Sequence, residues 1–581
     1  MSSPSIAIVG AGPGGLAAAM LLQASGARVT IYEAQPRIGG RTERVEQEGF
    51  TFDRGPTFFL MPHVLDELFA ATGRRLADFA DLTRLDPMYR LVFARAGQPA
   101  KTLDCTQDLA EMARRIAAFS ASPGDGDRFI PYMLDNRRKL ALFEPILRGS
   151  FPNFRSLLSL DLIKSALVLH PLQSVHSQLT KRFDDPMVRL ALCFQAKYLG
   201  MSPFKCPSLF SILPYIEYQF GVWHPRGGCN ALMSAMAGAV ETMGAEIKTS
   251  TPVQRILFDG ARAVGVHAAG RDQRHDHVIM NADASWALQN LVPQALRPKW
   301  RDKKLQGMDY SCSALMLYLG VRGPIDLPHH TICVAEDYPK NIREISGDLT
   351  LSDDPSFYIC NPSRTDPTLA PPGHSSLYVL VPVPNLRSQA DWRDPATLAA
   401  VRARALDRVA RIIGEDIRPR IVTESTFTPA DWQGRNIAFG ATFNFGHGLM
   451  QMLCFRPQHH LPTTSNLWLV GGGTHPGSGL PVIFLSAQAV ARELCKRAGL
   501  EYAGDVAPPQ RVMPRTPGVA PVVRVPEVRA ALASEIKDEP VRESSTVPAA
   551  ASSPAPLPVA TPAATHADDL IPPLFRGPVG V

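Results

Sequence analysis

Apolar and polar residues follow three patterns along this chain. Residues 5–9, Ser-Ile-Ala-Ile-Val, form a short and nearly unbroken apolar run, which predicts a strand buried on both faces. After a Gly-rich turn, residues 15–26 are apolar almost all round, which predicts a buried helix. Residues 28–33 return to a strand pattern. Helical periodicity dominates from about 75 to 225, for example over 109–118 and 161–169. Strand-like runs reappear at 249–258, 263–267 and 278–282. A mixed segment covers about 300–455, and strand-turn-helix recurs over 467–498.

This order predicts an α/β protein. A Rossmann-type nucleotide-binding domain is assembled from 1–100, 225–300 and 456–500, and an α+β substrate domain is inserted as 101–224 and 301–455. Beyond residue 503, Pro, Ala, Val and Ser dominate and the hydrophobic period is lost. The stretch 503–581 is expected to be a disordered tail without catalytic role.

Composition narrows the class. At 581 residues the chain exceeds a single ordinary core, and 45% hydrophobic with 20% charged residues describes a globular protein. The net charge of +6 is spread without a Lys/Arg block, so nucleic acid is not an expected partner. Nine cysteines lie scattered with no C-x-x-C pair, which implies neither a metal site nor a disulfide framework and suits a reducing cytoplasm. No leader is expected, because the first strand begins at Ser5, and no run of ~18 apolar residues is present to span a bilayer.

The chemistry begins at Gly10-Ala11-Gly12-Pro13-Gly14-Gly15, a G-x-G-x-x-G set between strand and helix. Gly10 permits the turn, Gly12 admits a pyrophosphate to the backbone, and Gly15 allows helix and strand to approach closely. Glu33 ends the next strand, where a carboxylate can accept ribose hydroxyls and disfavours a 2′-phosphate. Arg37-Ile38-Gly39-Gly40-Arg41 follows directly, with Gly40 beside the pyrophosphate and Arg41 able to offset its charge.

That arrangement resembles the GG-doublet flavoproteins, which include amine oxidases and carotenoid desaturases, and so implies FAD. Phe52-Asp53-Arg54-Gly55-Pro56-Thr57 resembles the F-D-x-G-P-T segment of bacterial phytoene-desaturase-type enzymes. Gly221-Val222-Trp223-His224-Pro225-Arg226-Gly227-Gly228 is similar to their G-V-W-x-P-x-G-G, and the stretch from Asn466 to Gly477 resembles N-L-Y-L-V-G-A-G-T-H-P-G. The resemblance covers nearly all of 1–500. It implies that Gly14, Gly55, Pro56, Thr57, Gly472, Gly473, Thr474, Pro481 and Val482 lie along the flavin. It also implies that backbone groups near Val253 hold the adenine, and Asn281-Ala282-Asp283 is similar to the family's N-A-D turn. His475 and Arg226 are the polar candidates beside the reacting ring. The pair His329-His330 is equally suited to a loop satisfied by backbone hydrogen bonds.

The resemblance further implies an FAD-dependent desaturase acting on an apolar polyene, peripheral to the inner face of the cell membrane, with quinone or oxygen as electron acceptor. Residues 155–181 interleave leucines with Arg155, Lys164 and Lys181, a pattern equally suited to a membrane-surface segment and to a helix facing the interdomain core. Val482 departs from the usual G-x-P-G ending. It resembles enzymes that act later on carotenoids, either 3,4-desaturases or terminal oxygenases. A redox-neutral flavin-dependent isomerase is a further alternative on the same fold.

Overall fold

The computed structural model describes residues 3–505 apart from 96, 159–161, 163, 164, 166 and 167. Its centre is a five-stranded parallel sheet in the order Leu467–Leu469, His277–Met280, Ser5–Val9, Arg28–Tyr32, Glu246–Lys248. Ile8 pairs with Ile31 on one side and Ile279 on the other. Both faces of that central strand are covered, hence its nearly unbroken apolar run. The helix Pro13–Ala24 packs beneath it against helices Cys229–Thr242 and Leu480–Ala498. Its residues Gly14 to Leu22 are all buried, which accounts for apolar residues around its whole circumference.

A three-stranded antiparallel sheet, Val253–Asp259, Arg262–Ala268 and Arg271–Arg274, flanks this layer. The other large element is a seven-stranded sheet in the order Ile421–Phe427, Ser313–Arg322, His374–Val383, Phe357–Cys360, His330–Val334, Tyr89–Phe93, Lys101–Cys105. Its pairs are antiparallel except for His330–Val334 with Tyr89–Phe93.

Period-2 alternation sorts that sheet into two faces. Leu315, Leu317 and Leu319 sit opposite Val381, Val379 and Leu377, and they share a core with Val401, Ala405, Leu406 and Val409 of helix Pro395–Ile413. The alternate residues Ala314, Met316, Tyr378 and Leu380 face a cavity.

Two boundaries differ from the sequence expectation. Residues 89–93 belong to the seven-stranded sheet, because their pairing partner is His330–Val334 and not the parallel sheet, so the piece 1–100 is divided. Ala503–Asp505 form a packed turn, with the Ala503 N–H donating to Ser25 Oγ, so order extends past 503. The rest of the expected tail, 506–581, lies outside the described residues, as does most of the expected helix at 161–169. The helix expected at 109–118 is present as Leu109–Phe119, with Asp108 accepting the Glu111 N–H at its start. Among the described residues no helix is long and apolar enough to cross a membrane.

Candidate active site

A cavity of about 480 Å³ runs from the carboxyl ends of the parallel strands to the inner face of the seven-stranded sheet. The first end is built from backbone. Gly10 takes φ +102°, a conformation that favours glycine, and its N–H donates to Tyr32 O at 2.8 Å. Glu33 is 6% exposed and accepts the N–H of Ala11 at Oε2 (2.7 Å) and of Gln35 at Oε1 (2.8 Å). Burial pushes its carboxyl upward, and those two N–H bonds pull against the rise. Each carboxylate oxygen keeps acceptor capacity for a hydroxyl.

Two helices open on this end without a cap. Pro13–Ala24 starts at Gly12 and Leu480–Ala498 at Gly479; neither has a capping side chain or an acid in its first turn. Gly12, Gly14, Leu480, Pro481 and Ile483 line the cavity, so two positive helix ends converge on it. Asn281 ties the turn from beneath, its Nδ2 donating to Gly10 O at 3.0 Å. Arg41 reaches Asp283 Oδ2 at 3.1 Å, and its buried Nε has no partner. Asn444 can orient its amide to donate to Asp283 Oδ2 (2.9 Å) and accept from Arg41 Nη2 (3.0 Å). Glycine walls, free helix ends, a buried carboxylate and an orphaned guanidinium nitrogen together fit a dinucleotide carrying phosphate charge.

Most expected cofactor residues meet here. Gly10, Gly12, Gly14, Glu33, Gly40 and Arg41 line the cavity, as do Gly55, Pro56, Thr57, Val253, Gly472 and Pro481. Gly15, Gly473, Thr474 and Val482 stand behind the wall. A Cβ on Gly15 would lie 2.2 Å from Gly10 O, and one on Gly473 would lie 2.5 Å from Ala284 Cβ. Thr474 donates its hydroxyl to Gly471 O at 2.7 Å, and its carbonyl accepts from the buried Arg456. Val482 is turned off the face that Leu480 and Ile483 present, three residues apart on the helix.

Neither residue expected beside the reacting ring lines the cavity. Arg226 is exposed in the turn before helix Cys229–Thr242, its N–H donating to Asp81 O. His475 is 2% exposed, with Nε2 3.1 Å from Ile146 O and its ring edge-on to Phe151. Burial pulls its pKa down to about 3, so a neutral imidazole fastens the C-terminal turn to helix Gly124–Arg148. Two motifs read separately in the sequence do meet: Asp53 accepts the N–H groups of Cys229 (2.9 Å) and Asn230 (2.8 Å), anchoring the helix that follows Gly227-Gly228.

The far end of the cavity is made of side chains. Phe58, Tyr198, Met316, Tyr358, Tyr378 and Leu380 form an apolar, aromatic wall. Lys197 stands in it with a buried, unpartnered Nζ 5.0 Å from the Tyr338 ring, and burial pulls its pKa down to about 8. Behind Tyr198, fully buried Glu217 accepts from Tyr89 Oη (2.8 Å) and Gln195 Nε2 (3.0 Å), and burial pushes its carboxyl up to about 7. Sequence reasoning passed over both. The available signal was a single charge inside a mostly apolar run, at Lys197 within 194–200 and at Glu217 within 212–220. Of the pair His329-His330, His329 ends the loop before a strand and His330 opens that strand; both are buried.

The model of the family "flavin containing amine oxidoreductase" matches residues 13–495. A 4,4'-diapophytoene desaturase (4,4'-diapolycopene-forming) of Methylomonas sp is 41% identical over 500 residues, covering 86% of this chain and 96% of that protein. An all-trans-zeta-carotene desaturase of Myxococcus xanthus is 36% identical over 504 residues, covering 85% and 94%. The crystal structure of an oxidoreductase from Methanosarcina mazei shares the fold with a TM-score of 0.57 at 18% identity, covering 84% of this chain and all of that one.

Proposed function

This chain belongs to the flavin-containing amine oxidoreductases, in the branch of the bacterial carotenoid desaturases, and from that membership we propose that it desaturates an apolar polyene taken from a membrane surface, with FAD as oxidant. The observation that carries the reading is one cavity with two unlike ends: uncapped helix starts and glycines at one, an aromatic and aliphatic wall at the other.

Gly12, Gly14 and Gly40 would lie along the pyrophosphate, Glu33 at the ribose and Val253 toward the adenine. Bound FAD supplies a two-electron oxidant that accepts hydride at its N5 atom. Phe58, Met316, Tyr378 and Leu380 would hold an extended chain in line and keep water out. The helix start at Leu480–Pro481 would offer positive partial charge to a reduced ring held beside it.

For the membrane, support comes from Phe154 (63% exposed), Leu158 (64%) and Leu172 (91%), with Arg155 exposed among them. Of the leucine-rich stretch expected at this surface, Leu160 and Leu167 lie outside the described residues, and Leu169 is buried. Changing Phe154 and Leu172 to Asp should weaken vesicle binding while FAD stays bound. Quinone or oxygen completes the cycle as electron acceptor, to be distinguished by oxygen uptake with and without added quinone.

Expression in carotenoid-accumulating hosts tests the function. Products lacking two hydrogens per new double bond support desaturation. Added oxygen would favour the terminal oxygenase, an unchanged mass with altered double-bond geometry the isomerase, and no altered carotenoid in any host would overturn the proposal.

A further inference from the structure

Desaturation breaks two C–H bonds on neighbouring carbons. One leaves with its electron pair as hydride; the other carbon gives up a proton, and the electrons of that bond form the new double bond. A proton released against an apolar wall needs an acceptor, because an unpaired charge there is costly.

Two hydroxyls on the cavity wall lead away from it. Tyr358 Oη lies 2.8 Å from Thr57 Oγ1 and 2.6 Å from His330 Nδ1. His330 is fully buried and stacked on Phe58, with centroids 4.0 Å apart and planes at 12°, which fixes the ring. Its Nε2 is buried and unpartnered. The His329 ring stands 4.4 Å away, with its own Nε2 also buried and unpartnered. The other nitrogen of His329, Nδ1, is 2.8 Å from Thr365 Oγ1, and Thr365 is partly exposed. Beside them the His224 ring lies 4.6 Å from that of His329, with Nε2 3.5 Å from Asp366 Oδ2.

Resting on the desaturase reading, we propose that Tyr358 and His330 take up the proton that desaturation releases, and that His329 and Thr365 carry it out to solvent. Tyr358 Oη receives the proton from carbon as its own hydroxyl proton moves to His330 Nδ1. Because neither Nε2 is hydrogen-bonded, a water between the two rings would take the His330 Nε2 proton as it gives one to His329 Nε2, and His329 releases one from Nδ1 through Thr365. Each imidazole receives at one nitrogen and gives at the other, and no electrons leave the protein side chains. Burial holds His330, His329 and His224 neutral at rest, the state in which an imidazole can accept. Burial works to raise the pKa of Asp366, but the Gly227 N–H (2.6 Å) and the Thr368 hydroxyl outweigh it. The carboxylate therefore stays charged, and through His224 it favours a proton passing His329.

The test uses FAD-loaded enzyme with polyene in vesicles. Tyr358→Phe and His330→Gln should each slow turnover by about a hundredfold with bound FAD unchanged. The double variant should be no slower than the worse single one, because the pair acts as a unit. His329→Gly should recover rate with added imidazoles, increasingly as their basicity rises, which cavity filling alone would not produce. Without substrate or turnover, Tyr358→Phe should shift the ¹⁵N resonance of His330 Nδ1. Full turnover in either single variant, or losses that multiply in the double variant, would overturn the relay while leaving the desaturase reading intact. A wild type that makes no product in the same vesicles would overturn both.

Discussion

The two ends of the cavity are built from different materials. At the nucleotide end, Gly10, Gly12, Gly14 and the starts of two helices present backbone, and Asn281 locks them from below. At the polyene end, Phe58, Lys197, Met316, Tyr358 and Leu380 come from segments far apart in the chain and present side chains. Backbone sites depend on residues whose side chains are absent or minute, so their spacing leaves a local signature. Side-chain sites depend on which strand face looks inward, and that is set only when distant strands pair. This contrast is why the cofactor follows from forty residues and the substrate does not.

The largest effect is expected from breaking the backbone end. In Gly15→Ala the new Cβ would meet Gly10 O at 2.2 Å and Asn281 Nδ2 at 2.8 Å, so purified protein should carry no flavin absorbance and melt well below wild type. Glu217→Gln probes the other end. The folded pKa of Glu217, about 7, lies above its ordinary value of 4.5, so wild type binds the extra proton when folded and loses stability as pH rises from 4.5 to 7. The variant lacks that slope. It should match wild type near pH 4.5 and exceed it at pH 8 by up to about 3 kcal/mol in denaturant titrations.

Lys197→Met should give a smaller gain. The folded pKa, about 8, lies below the ordinary 10.5, so the penalty is complete below pH 8 and fades as pH climbs toward 10.5. At pH 7 the variant should be more stable by ~1–2 kcal/mol, since contact with the Tyr338 ring already offsets part of the cost. Arg226→Ala touches neither end and should change stability by less than ~0.5 kcal/mol, with turnover unchanged.

The same contrast marks where sequence reading succeeded. The strands at 5–9 and 28–32, the Gly-rich turn and Glu33 carry local patterns and stand where those patterns put them. The resemblance to the family's G-x-P-G ending implies that Val482 lies along the flavin. A helix beginning at Leu480 turns 100° per residue, however, and gives that wall to Ile483. His475 closely follows the cavity-lining Gly471 and Gly472 in sequence, yet its ring points back to Ile146. The membership of residues 89–93 in the second sheet could not be seen locally, because their partner strand begins at His330. Glu217 and Lys197 each interrupt an apolar run, a signal that marks a buried charge without saying what it faces.

The most direct measurement mixes FAD-loaded protein with a vesicle-borne polyene in the absence of oxygen and quinone. The flavin's visible absorbance should bleach, with one new carbon–carbon double bond formed for each flavin reduced. Bleaching without loss of hydrogen from the polyene, or bound polyene with the flavin left oxidised, would contradict it.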